Sequence, residues 1–197
     1  MHAAEGRSTS RRVGWDVRED ASRDVLVALY LRDALGVMDP SGLPRMLGTG
    51  LPVEPEPADP RVAFGWLRWW IPLIEPDARG WGLPDSDDPF SAEPFTTAVR
   101  THLDDARAWA AVAHEQYNGS AIARMQKPDT VLHELVAERE AALGRASRAW
   151  RLRIEVLPLA ASGVWWIGDD AIAVDETTRD EPILYRDAIA PVVAQLV

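Results

Sequence analysis

Apolar positions in this chain follow two different rhythms. Up to about residue 148 they recur every three or four residues, the spacing of one side of a helix. From 151 onward they alternate, as on a half-buried strand. The helical rhythm predicts a first helix over 17–37, capped by Asp16, with Val25, Leu26, Leu29, Tyr30, Leu31 and Leu35 leaving few polar sides. A proline-rich connector follows over 38–60 and is expected to wrap the domain in extended form. A short helix over 60–75 opens on Asp59-Pro60. A loop over 76–94 contains Gly80, Gly82, Pro84 and Pro89. A long helix over 91–118 is capped by Ser91 and closed by Asn118-Gly119. Another runs over 129–148 with Asp129 as its cap.

In the alternating part, Leu152, Ile154 and Val156 are interleaved with Arg151, Arg153 and Glu155. A turn over Pro158–Gly163 leads to two further strands, Val164–Ile167 and Ala171–Val174, joined by Gly168-Asp169-Asp170 as a hairpin. Thr178 and Glu181 have the spacing of a capping box, opening a last helix with an apolar stripe at Tyr185, Ile189, Val192, Val193 and Leu196. The fold class is therefore α+β: about four helices, a three-stranded antiparallel meander, and a C-terminal helix covering one sheet face. The expected organisation is an irregular mobile arm over 1–14 and a single domain over 15–197. Within it, the helical part covers about 15–149 and the meander with its helix about 150–197.

Two polar residues interrupt apolar stripes. On the 91–118 helix, Phe95, Val99, Leu103, Ala106, Ala110, Ala113 and Tyr117 share a side, and His102 falls among them. On the 129–148 helix, Arg139 sits at the centre of a stripe made by Val131, Leu132, Leu135, Val136, Ala142 and Leu143. A buried imidazole must hydrogen-bond, and a guanidinium there must reach solvent or a carboxylate. If the two helices pack antiparallel, His102 as acid or base and Arg139 as anion holder would form a speculative catalytic pair. The alternative for each is a satisfied core residue.

Other motifs fail on spacing. His114-Glu115 and His133-Glu134 are neighbours, which point about 100° apart on a helix, so neither makes a metal pair. Asp85-Ser86-Asp87-Asp88 begins like a calcium loop, but Phe90 and Thr96 stand where glycine and glutamate are needed. There is no G-x-S-x-G, and no glycine-rich phosphate loop follows a strand. No metal or cofactor is expected.

Composition narrows the rest. A net charge of -10 repels phosphate backbones and acidic membranes, so neither nucleic acid nor membrane is an expected partner. With no cysteine there is no disulfide and no thiolate metal site. The opening residues carry no apolar run, and the expectation is a cytoplasmic protein. Nine tryptophans stand out. Trp165 and Trp166 are adjacent in a strand and must face opposite ways. Trp69 turns away from the side shared by Trp66 and Trp70. The leading expectation is a non-catalytic binding protein that meets a protein or small molecule through a tryptophan-rich surface. Its candidate residues are Trp69, Trp81, Trp165 and Trp166, with Arg151 and Arg153 beside them. The alternatives are an enzyme built on His102 and Arg139, and a small-molecule sensor with an aromatic-lined cavity.

Overall fold

In a computed structural model, residues 9–12, 14–38, 40–52, 55–75, 93–126 and 129–197 are described. The class is α+β, as the two rhythms predict. The sheet is larger than a meander and takes strands from both ends of the chain. Its strands are β1 (Thr9–Arg12), β2 (Trp15–Asp20), β3 (Trp150–Leu157), β4 (Val164–Gly168) and β5 (Ala171–Asp175). Their order across the sheet is β1-β2-β3-β5-β4.

Three expectations are corrected here. Residues 9–12 are not part of an irregular arm: they pair antiparallel with β2. Trp15–Asp20 is a strand rather than the start of a helix, because Trp15 and Val17 go inward while Asp16 and Arg18 stay outside the core. That short run of period two is hidden against the strongly apolar helix behind it. The meander is also replaced, since β3 pairs parallel with both β2 and β5, and β4 lies beyond β5 at the edge. Only the β4–β5 hairpin survives from the predicted arrangement. A central strand of such a sheet is covered on both faces, and all five residues of β5, between β3 and β4, are buried.

Residues paired in register share a face. Trp15, Val17, Leu152, Ile154, Ile172 and Trp166 therefore lie on one face, and Arg153, Glu155, Ala173 and Trp165 on the other. Among the described residues six helices complete the fold: α1 (Arg23–Ala34), α2 (Pro60–Ile74), α3 (Glu93–Met125), α4 (Val131–Leu143), α5 (Glu176–Asp180) and α6 (Pro182–Leu196). The Arg153/Glu155 face meets α1 and α2: Arg153 Nη1 donates to Leu73 O at 2.6 Å and Ser22 N donates to Glu155 Oε2 at 2.8 Å. Helix α3 packs on both α1 and α2. On the other face, His133 of α4 lies 5.0 Å from the Trp15 ring, and α4 packs on α6. The inward stripe of α6, Tyr185, Ile189, Val192 and Val193, matches the sequence expectation.

Several helix ends differ from expectation. The α3 helix runs through Asn118-Gly119 to Met125. One glycine inside a helix costs about 1 kcal/mol. Beyond it, Arg124 lies over the Tyr117 ring and bonds to Glu19 and Asp180, which offsets that cost. The expected cap at Ser91 lies outside the described residues. The α4 helix stops at Leu143 because Gly144 takes the left-handed conformation, with φ 64°. The proposed capping box is replaced by Asp175, whose side chain accepts from Thr178 N and starts the short α5.

The proline connector does wrap the domain. Arg32 and Asp33, both buried at the end of α1, hold it. Arg32 donates to Leu43 O at 3.0 Å and Pro44 O at 2.7 Å, and Asp33 Oδ2 accepts from Met46 N at 2.7 Å. Met46 then bridges to Leu159, so the connector also touches the chain between β3 and β4. Helices α2 and α3 approach closely at Gly65, where a Cβ would stand 2.6 Å from Phe95 Cβ. Gly65→Ala should therefore destabilise the protein by about 2 kcal/mol through overpacking, read as a lower midpoint in urea denaturation with an unchanged slope.

Candidate functional site

The predicted site residues are scattered, and most are accounted for by packing. Trp69 is not on the surface: it is 7% exposed and lies against Phe95 of α3. Its side of α2 is covered because α3 flanks that helix. Trp66 and Trp70 are also buried, stacked at 5.2 Å, and Trp66 Nε1 donates to Ala28 O at 2.8 Å. Trp15 stacks on Trp150 at 5.1 Å across the β2–β3 pair. The described tryptophans are thus core residues or half-buried ones, and Trp81 lies outside the described residues. Trp165 and Trp166 are half-buried on opposite faces of the edge strand.

His102 and Arg139 are not brought together. His102 is half-buried on the part of α3 that precedes its crossing of Ala21, whereas Arg139 points at α6. Arg139 donates to Ala194 O at 3.4 Å and Arg145 to Val197 O at 3.1 Å. Both sit where the last carbonyls of α6 lack helical partners and where its dipole favours cations. The Arg139 guanidinium thus has a backbone partner within the fold. Arg151 is exposed on β3, while Arg153 is paired with Glu155 at 2.6 Å. The two HE pairs play structural parts: His114 Nδ1 lies 2.7 Å from Ala21 O, and Glu134 binds Arg186.

What sequence reading missed is a charged cluster at the carboxyl ends of β2, β3 and β5, the end at which parallel sheets commonly carry their sites. Glu19, the next-to-last residue of β2, accepts from Arg179 Nε at 2.7 Å and from Arg124 at 3.3 Å. Arg179 also binds Asp129 and lies 4.3 Å over the Tyr185 ring, and Arg124 also binds Asp180. Burial pushes the Tyr117 and Tyr185 phenols well above their ordinary values, and Glu19 adds to both. Burial likewise raises Glu176, helped by Asp180. Glu155 is fully buried and is pushed up to about 7, chiefly by desolvation, against the lowering effect of Arg153. Four separate segments meet here, so no linear motif could have revealed the cluster.

Chemically, the cluster is largely satisfied from within. Both arginines are spent on carboxylates and on tyrosine rings. Among the described residues, no group of three or more His, Cys, Asp or Glu could hold a metal ion. Nor is any helix among them long and apolar enough to cross a membrane. Among the described residues, one surface with unspent bonding capacity is the rim of the sheet at β4. Gly163 O accepts from Asp175 N, so Gly163 and Asp175 face each other as a hydrogen-bonded pair. Alternation then turns the N–H and C=O of Trp165 toward β5 and those of Val164 and Trp166 outward. Among the described residues no strand pairs with that outer side.

No protein-family model, curated protein or solved structure matches this chain.

Arg179 ties β2, α5 and the segment before α4 into one body. Arg179→Met should cost about 2 kcal/mol, since it takes from the half-buried Glu19 one of its two arginines and removes the cation over the buried Tyr185 ring. Equilibrium urea denaturation at pH 7 measures it, and the loss should exceed that of Arg186→Met, whose guanidinium pairs on the surface.

Proposed function

We propose that the chain is a non-catalytic cytosolic binding protein that takes up an extended peptide along the rim of β4. The observation that carries this reading is the pair Trp165 and Trp166. They are half-buried on opposite faces of an outermost strand that holds no charged residue. Edge strands of native proteins are usually protected by charge, proline or cover. An added strand would gain main-chain bonds from Val164 and Trp166, and each indole would cover one of its faces. A register shift between Trp166 and Gly168 bends β4, so the straight run open to a peptide is Val164–Trp166.

The partner chemistry follows from what flanks that run. Asp169 and Asp170 form the turn at the end of β4, on a protein whose net charge is -10. The expected peptide therefore carries apolar residues opposite the indoles and a basic residue beside the turn. The enzyme alternative has less support, because His102 and Arg139 stand apart and the strand-end charges are spent on one another.

The test is selection from a random peptide display library on the full chain, followed by titration of the selected peptides. Affinities on the order of 1–100 μM are expected for so short an edge. Val164→Pro removes an outward N–H and leaves the ladder to β5 intact, so it should weaken binding at least tenfold with little change in stability. Trp166→Ala should weaken it as well. Equal binding by Val164→Pro, or no selected peptide, would overturn the proposal.

A further inference from the structure

A surface helix ordinarily turns its apolar side inward and its polar side to water. Helix α2 departs from that rule. Val62, Trp66, Trp69, Trp70, Leu73 and Ile74 are buried, yet two further large apolar side chains, Phe64 at 61% exposure and Ile71 at 53%, face outward. With the exposed Arg61 and Arg68 they stand at positions 61, 64, 68 and 71. Steps of three, four and three are those of the seam along which one helix packs on another. We propose that this seam docks an acidic amphipathic helix of a partner protein.

Charge selects the partner. Helix α2 contains two arginines and no carboxylate, on a chain whose net charge is -10. Arg68 leans over the Phe64 ring at 6.0 Å, so an aromatic ring and a cation are presented together. A guanidinium carries five N–H donors and can serve a further acceptor beside its existing contacts. The docked helix sets apolar residues against Phe64 and Ile71 and glutamates against Arg61 and Arg68. Glu75, exposed one step beyond the seam, calls for a basic residue at that end and so fixes which way the partner helix runs. From 61 to 71 the seam is about 15 Å long, close to three turns. A second copy is a poor occupant, since two such seams laid together set guanidiniums against one another or against apolar side chains. An anionic membrane is opposed by the net charge of the whole chain. The seam lies on a different element from the β4 rim and calls for the opposite charge.

The test is selection on the full chain from a displayed library of helical peptides whose seam positions are apolar and whose flanking positions vary among Glu, Lys, Gln and Ser. Glu-rich peptides should be enriched, with dissociation constants on the order of 10–100 μM for so short a contact. Phe64→Ser and Arg61→Glu each change an exposed side chain, so both should keep the urea midpoint and weaken binding by about tenfold or more. Added salt should weaken it too. Val164→Pro should bind the selected peptides unchanged, which separates this seam from the β4 rim. Enrichment of Lys-rich peptides, no enriched peptide, full affinity in Phe64→Ser and Arg61→Glu, or loss of binding in Val164→Pro would each overturn the proposal. So would adsorption of the chain to phosphatidylserine vesicles that Phe64→Ser abolishes, since the seam would then be a lipid-binding face.

Discussion

The architecture depends on the parallel ladder between β2 and β3. Trp15 is paired with Trp150 and Asp20 with Glu155, so both faces of the sheet require two segments far apart in sequence to meet. Ser22 and Glu155, which bond across this junction, are 133 positions apart in sequence. The entropy of closing such a loop grows only slowly with its length. A few strong local contacts suffice to offset it: the Trp15–Trp150 stack, the buried Val17 and Leu152, and the hydrogen bond from Ser22. Everything between the two strands is then arranged around the closed sheet, with α1, α2 and α3 against one face and α4 and α6 against the other.

Burying a sheet on both faces forces a particular treatment of charge. Arg153 and Glu155 alternate with apolar residues and would read as a solvated strand face in isolation. Instead helices cover them, and each polar atom must find a partner at a helix end. The same logic places Arg32 and Asp33 against the connector's carbonyls and amides, and Arg139 and Arg145 against the final carbonyls of α6. In each case a charged side chain satisfies backbone groups that no regular element can satisfy. This accounts for these arginines as structural clamps, and the rim of β4 remains a surface with bonding groups to offer.

Much of this was legible from residue spacing. The apolar stripes of α1, α2, α3 and α6, the β4–β5 hairpin and the wrapping connector all follow from local periodicity. Strand β2 was not legible, because two inward residues are too few to mark a period beside the solidly apolar Val25–Leu31. Strand order was not legible either: whether β3 pairs with β4 or with β5 is decided by what covers the faces, and local sequence does not carry that. The site residues fared unevenly. Trp165 and Trp166 were placed correctly on opposite faces of a strand. Trp69 was misread because a helix wheel shows which way a side chain points but not that α3 lies there to cover it. The Glu19–Arg124–Arg179 cluster joins segments distant in sequence, and only the closed sheet assembles it.

The late arrival of β3 has a consequence for how the protein is made. On the ribosome, β2 and the apolar helix behind it emerge when most of the chain is still to be synthesised, and their neighbours in the sheet do not yet exist. Trp15, Val17 and the inward side of α1 must stay unsheltered until translation passes Leu157 and the tunnel releases it. A nascent chain stalled before that point has helices without a sheet to lie on, which makes it a natural client for chaperones that recognise greasy segments.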